Sequence, residues 1–75
     1  MSRLVLDILR RAKEPLTTQE VSKEIMRARG LDISDAKLLR KMVKRAGMTL
    51  RAQRENGLIQ SKDGGGLYMV WEVVR

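Results

Sequence analysis

Residues 35–57 constrain this chain's fold more than any other stretch. Ala36, Leu39, Val43, Ala46 and Leu50 recur there at three- and four-residue spacing, the periodicity of a helix with one apolar face. Lys37, Arg40, Lys41, Lys44, Arg45, Arg51 and Arg54 fill the segment, and only Asp35 and Glu55 oppose them. On a wheel of about 100° per residue the apolar stripe falls within about 80°. Lys37, Lys41, Lys44 and Arg45 gather on the opposite side, with Met48, Arg51 and Ala52 among them, while Arg40 and Arg54 flank the stripe. Such a helix is fixed to a body by one side and presents dense positive charge on the other.

The body must be small. Seventy-five residues make one domain, residues 1–75, and a chain of this length buries only about 60% of its unfolded surface. There is no Cys and no His. Disulfides and thiolate ligation are therefore excluded, as are the commonest general base and the commonest zinc ligand. Stability must come from aliphatic packing, to which association with another copy could add. The nine acids are scattered, and those near helix starts, such as Asp32 and Asp35, read as caps. No catalytic residue, metal site or cofactor is expected, no small-molecule substrate is evident, and so short a chain leaves little room for a deep pocket.

A net charge of +7 and a pI near 10.6 point to a polyanionic partner. Nucleic acid is the first expectation; an anionic membrane is disfavoured, because the first helix has a narrow apolar face without an aromatic anchor. The N-terminus lacks the apolar core of a signal peptide, and no apolar run reaches spanning length. The helical pattern begins right after Met1, so the chain reads as a complete small protein. The expected location is the cytoplasm, nucleoid-associated if the partner is DNA.

Along the chain, Val5, Ile8, Leu9 and Ala12 predict a helix over residues 3–13, stopped by Pro15. Leu16 begins a very short extended piece. Thr17 and Glu20 form a capping box for a helix over 18–29 that faces Val21, Ile25 and Ala28 inward. Gly30 suits the position after it. Ser34 or Asp32 caps a third helix over 35–56, with Asp35 in its first turn and Gly47 as the site of a kink or break. Residues 58–62 and 67–74 read as strands joined by a Gly-rich tip. Both faces of the last strand are largely apolar, so it is expected to be well covered, with Trp71 in the core.

The residues Glu14-Pro15-Leu16-Thr17-Thr18-Gln19-Glu20-Val21, the passage Glu55-Asn56-Gly57-Leu58-Ile59, and the hairpin ending Trp71-Glu72-Val73 resemble the winged helix-turn-helix family. The likeness spans nearly the whole chain. It implies a small α+β fold, a three-helix winged helix-turn-helix with a C-terminal β-hairpin wing. Two features depart from the pattern: the 30–34 connection is longer than the simplest turn, and the third helix is longer than many recognition helices.

The resemblance implies a small DNA-binding protein, most simply a transcription regulator. Helix three would lie in the major groove and helix two across the backbone. Lys37, Lys41, Lys44, Arg45 and Arg51 would then contact phosphates and base edges, with Arg40 in support. Thr18, Gln19 and Lys23 would touch phosphates from helix two, and Lys62 from the wing. Double-stranded DNA is the expected partner, engaged as a homodimer or beside a cooperating protein. The plain structural alternatives are a solvated basic face, first-turn exposure for Thr18 and Gln19, and an ordinary hairpin at Lys62. Other functional readings are an interaction module for an acidic protein and the binding of structured RNA. Met48 either meets a partner or is buried by a turn of the helix at Gly47.

Overall fold

The computed structural model describes residues 1–63 and 69–74. The chain runs α1 (Ser2–Arg11), β1 (Leu16–Thr17), α2 (Thr18–Ala28), α3 (Ala36–Glu55), β2 (Ile59–Asp63) and β3 (Met69–Val73). It is a small α+β fold of three helices and one three-stranded antiparallel sheet, ordered β1-β3-β2. The Gly-rich tip at 64–66, together with Leu67 and Tyr68, lies outside the described residues.

α1 buries Val5 and Leu9, while Ile8 and Ala12 are half-covered. It ends at Arg11 rather than Lys13, because Ala12 is already extended at φ −68°, ψ 135°. The chain straightens there to reach β1, where Leu16 pairs with Trp71 and Thr17 with Val70. The capping box at the start of α2 forms in both directions. Thr17 Oγ1 accepts from the Glu20 N–H at 3.1 Å, and Glu20 Oε1 accepts from the Thr17 N–H at 2.9 Å. α2 buries Val21, Ser22, Ile25 and Met26; the Ser22 hydroxyl is satisfied by the Thr18 carbonyl at 2.7 Å. Ala28, expected inward, is exposed, because the last turn of α2 opens onto a groove shared with α1.

Gly30 ends α2 with φ 69°. The Leu31 N–H reaches the Met26 carbonyl at 2.8 Å and the Gly30 N–H reaches Arg27 at 3.1 Å, the double closure of a Schellman motif. Gly57, φ 76°, repeats this at the end of α3 through Leu58 to Gln53 and Gly57 to Arg54, both 3.0 Å. Leu58 is thereby held in the cap and exposed, so β2 starts one residue later than expected. Between α2 and α3, Asp32 accepts from the Ser34 hydroxyl at 2.6 Å and its N–H at 2.9 Å. The hydroxyl first, then the N–H, lower the Asp32 pKa. With both residues used in this turn, Asp35 becomes the cap of α3 and accepts from the Leu38 N–H at 3.1 Å.

α3 is continuous through Gly47 for 20 residues, about 30 Å at 1.5 Å per residue, close to the molecule's longest extent of 32 Å. Its buried side differs from the expected stripe. Met42, Ala46, Leu50 and Gln53 are buried, Leu39 and Val43 are half-buried, and Ala36 is exposed. The set 39, 42, 46, 50, 53 satisfies helical spacing as well as the first one does, and packing against α2, α1 and β2 selects it. Gly47 faces the start of α2, where a Cβ would lie 4.0 Å from Thr18 Cγ2.

β3 is the central strand, pairing with β2 from Ile59↔Val73 to Asp63↔Met69. It is less covered than expected: Trp71 is buried, Val70, Glu72 and Val73 are half-buried, and Met69 is exposed. Val74 falls beyond the strand and is exposed. The core joins Val5 and Leu9 of α1, Val21, Ile25 and Met26 of α2, Met42, Ala46 and Leu50 of α3, and Ile59 and Trp71 of the sheet.

Candidate nucleic-acid interface

The orientation of α3 follows from its buried side. Met42, Ala46, Leu50 and Gln53 centre that side, and the direction opposite falls between Lys37 and Lys44 on a wheel of about 100° per residue. Lys37, Arg40, Lys41, Lys44, Arg45 and Arg51 are all exposed there. Among the described residues none of the six pairs with a carboxylate. Ion pairs among the described residues include Arg27 with Glu24 and Lys62 with Glu72.

Lys and Arg are good helix formers, but their spacing along α3 works against the helix. Pairs such as Lys37/Lys41, Arg40/Lys44 and Lys41/Arg45 stand one turn apart, and each like-charge pair costs a few tenths of a kcal/mol. Lys37 lies in the first turn, at the positive end of the helix dipole, with no acid beside it inside the helix. Asp35, as the cap, offsets part of that cost. A polyanion would relieve both penalties.

Met48 lies within this face, 65% exposed. The continuous helix leaves it in solvent, which removes the alternative of burial by a turn at Gly47. Ala52, one turn further, is also exposed.

The remaining expected contacts divide. Thr18 Oγ1 accepts from the Trp71 indole N–H at 3.0 Å. Its methyl packs toward Gly47, so Thr18 ties α2, α3 and β3 together. Gln19, the next residue, is exposed. Lys23 is half-buried and lines the α1–α2 groove rather than joining the α3 cations. Lys62, on β2, lies 3.5 Å from Glu72, which reduces what it offers to an anion. Trp71 is in the core, as its place on an alternating strand implies.

Two residues of α3 have roles that the sequence pattern did not reveal. Arg54 lies 5.5 Å from the centre of the Trp71 ring and donates to Ser61 Oγ at 3.1 Å. It joins α3 to the sheet instead of adding to the free cations. Gln53 is buried; its amide donates to the Ser2 carbonyl at 2.7 Å and its Oε1 has no partner among the described residues. Its spacing from Leu50 and Ala46 is the one sequence signal that places it inward.

A second surface feature lies elsewhere. It is a groove of about 940 Å³ between α1 and α2, floored by Leu4, Ile8, Ala12 and Leu16. Asp7, Glu14, Glu20 and Glu24 balance Arg11, Lys13, Lys23 and Arg27 along it, so it has no net charge to draw a polyanion. Among the described residues no three Asp or Glu side chains converge on a metal-sized site, and no helix is long and apolar enough to cross a membrane. No protein-family model, curated protein or solved structure matches the chain.

Proposed function

We propose that this protein is a double-stranded-DNA-binding domain of the winged-helix kind, most simply a transcription regulator, which lays the outer face of α3 in the major groove. One observation carries the reading. Six cations share the solvent side of a helix whose other side is locked into the core, and none is neutralised by a carboxylate among the described residues. A helix about 10–12 Å across matches a groove about 12 Å wide. The element order, the capped α2 and the hairpin after the basic helix support the winged-helix assignment. Arg side chains are the best base readers, because guanidinium bridges guanine O6 and N7. Helix two supplies Gln19 near the crossing, and Lys62 adds a weak contact from the hairpin. Pairing with a second copy or a cooperating protein would raise the affinity of so small a footprint.

Neutralising three to five phosphates gives a log–log salt slope of about −3 to −4.5. Affinity that stays flat from low to moderate salt would contradict the proposal. The double reversal Lys41→Glu and Lys44→Glu should abolish binding while leaving the circular-dichroism spectrum and melting transition intact.

A second reading has its own observation. Leu58 and Val74, 45% and 46% exposed, are joined by a backbone hydrogen bond at 3.2 Å and form an apolar pair at the end of the sheet. A protein with an acidic surface and an apolar ridge would fit α3 and this pair. Recovery of one acidic protein, with no shift of duplex DNA, would favour that reading.

A further inference from the structure

Met48 is the most exposed large apolar side chain among the described residues, at 65%, against 47% for Met69 and 46% for Val74. Its helical neighbours are Lys44 and Arg45 on the turn before and Arg51 and Ala52 on the turn after. A face shaped only for solubility would gain from a polar residue at this spot. Instead, an unbranched thioether stands inside a frame of cations, with the Ala52 methyl one turn along the axis.

Placing that frame on a duplex decides what Met48 meets. The cations at the flanks of the face, Arg40 and Arg45, would reach the phosphates that wall the groove, while Met48 stands with Lys37 and Lys44 near its centre line. The centre line of the face then points to the groove floor. The only apolar group on a base edge of the major groove is the 5-methyl of thymine. Resting on the DNA-binding reading above, we infer that Met48, with Ala52, packs against thymine 5-methyl groups and makes the protein prefer thymine-containing B-form DNA. The same contact discriminates against RNA, whose uracil lacks the methyl and whose major groove is too deep and narrow for side chains to read. Met suits the task because its flexible, polarizable side chain adapts to methyl groups at slightly different positions.

The test compares an alternating adenine–thymine duplex with its deoxyuridine counterpart, using the full chain and Met48→Gln at two salt concentrations. Wild type should bind the thymine duplex about fourfold more tightly for each methyl contacted, the fold-change that burial of one such group gives. Met48→Gln should lose this preference and keep the salt slope, because no cation is removed; its fold is checked by the melting transition. A salt-dependent wild type that binds both duplexes equally overturns the inference and leaves the DNA reading standing. A preference that survives in Met48→Gln also overturns the role of Met48. Salt-independent binding, or none, to either duplex overturns the DNA reading and this inference with it.

Discussion

Gly30, Gly47 and Gly57 lie in two different physical situations, and substitutions at them separate the forces acting on single residues. Gly30 and Gly57 hold φ of 69° and 76°, with nothing near a hypothetical Cβ. Alanine there meets no clash with neighbours and bears only the left-handed backbone penalty, about 1–2 kcal/mol. Gly47 sits inside α3, and its Cβ would meet only Thr18 Cγ2 at 4.0 Å, ordinary contact. Gly47→Ala should therefore stabilise by about 0.5–1 kcal/mol through helix propensity, raising the melting temperature by a few degrees, whereas Gly30→Ala and Gly57→Ala lower it. A lower melting temperature for Gly47→Ala would mean that α2 and α3 pack more tightly than this contact indicates. Which single-residue roles were legible depends on where the partner lies. Thr17 and Glu20 stand three apart, so their capping box could be read directly. The indole that uses Thr18 is 53 residues away, and no local pattern announces it.

The elements were legible where one local device dominates and less so where two compete. α1, α2, α3 and the hairpin lie where apolar periodicity and turn residues place them, with ends shifted by one or two residues at extended Ala12 and at capped Leu58. Before α3 the sequence offered Ser34 or Asp32 as the cap, with Asp35 in the first turn, and the turn between Asp32 and Ser34 leaves Asp35 to cap instead. The inward side of α3 offered two overlapping stripes, and contact with the rest of the fold chooses the one through Met42. That choice has a stability consequence. Met42→Ala empties a site that is 3% exposed and should cost about 2–4 kcal/mol. Val43→Ala at a half-buried position should cost well under half as much. Chemical denaturation of the two variants checks this, and equal losses would restore the stripe through Val43.

At the scale of the whole molecule, the central feature is an asymmetry of charge. Acids and bases balance along the α1–α2 groove, whereas α3 carries six cations from Lys37 to Arg51, about 21 Å of helix, with Asp35 and Glu55 at its two ends as its acids. This asymmetry was legible in the sequence, because the residues that compose it lie in one continuous segment. Its completeness was not, since Lys23 and Arg54 are drawn off to the groove and to Trp71 by contacts that only the fold creates. The account depends most on which face meets a polyanion. Amide chemical-shift mapping during titration with a mixed-sequence duplex, at low and at moderate salt, asks that question directly. The account predicts shifts concentrated from Lys37 to Ala52 and at Gln19, shrinking steeply as salt rises; shifts centred on the α1–α2 groove, or an affinity indifferent to salt, would contradict it.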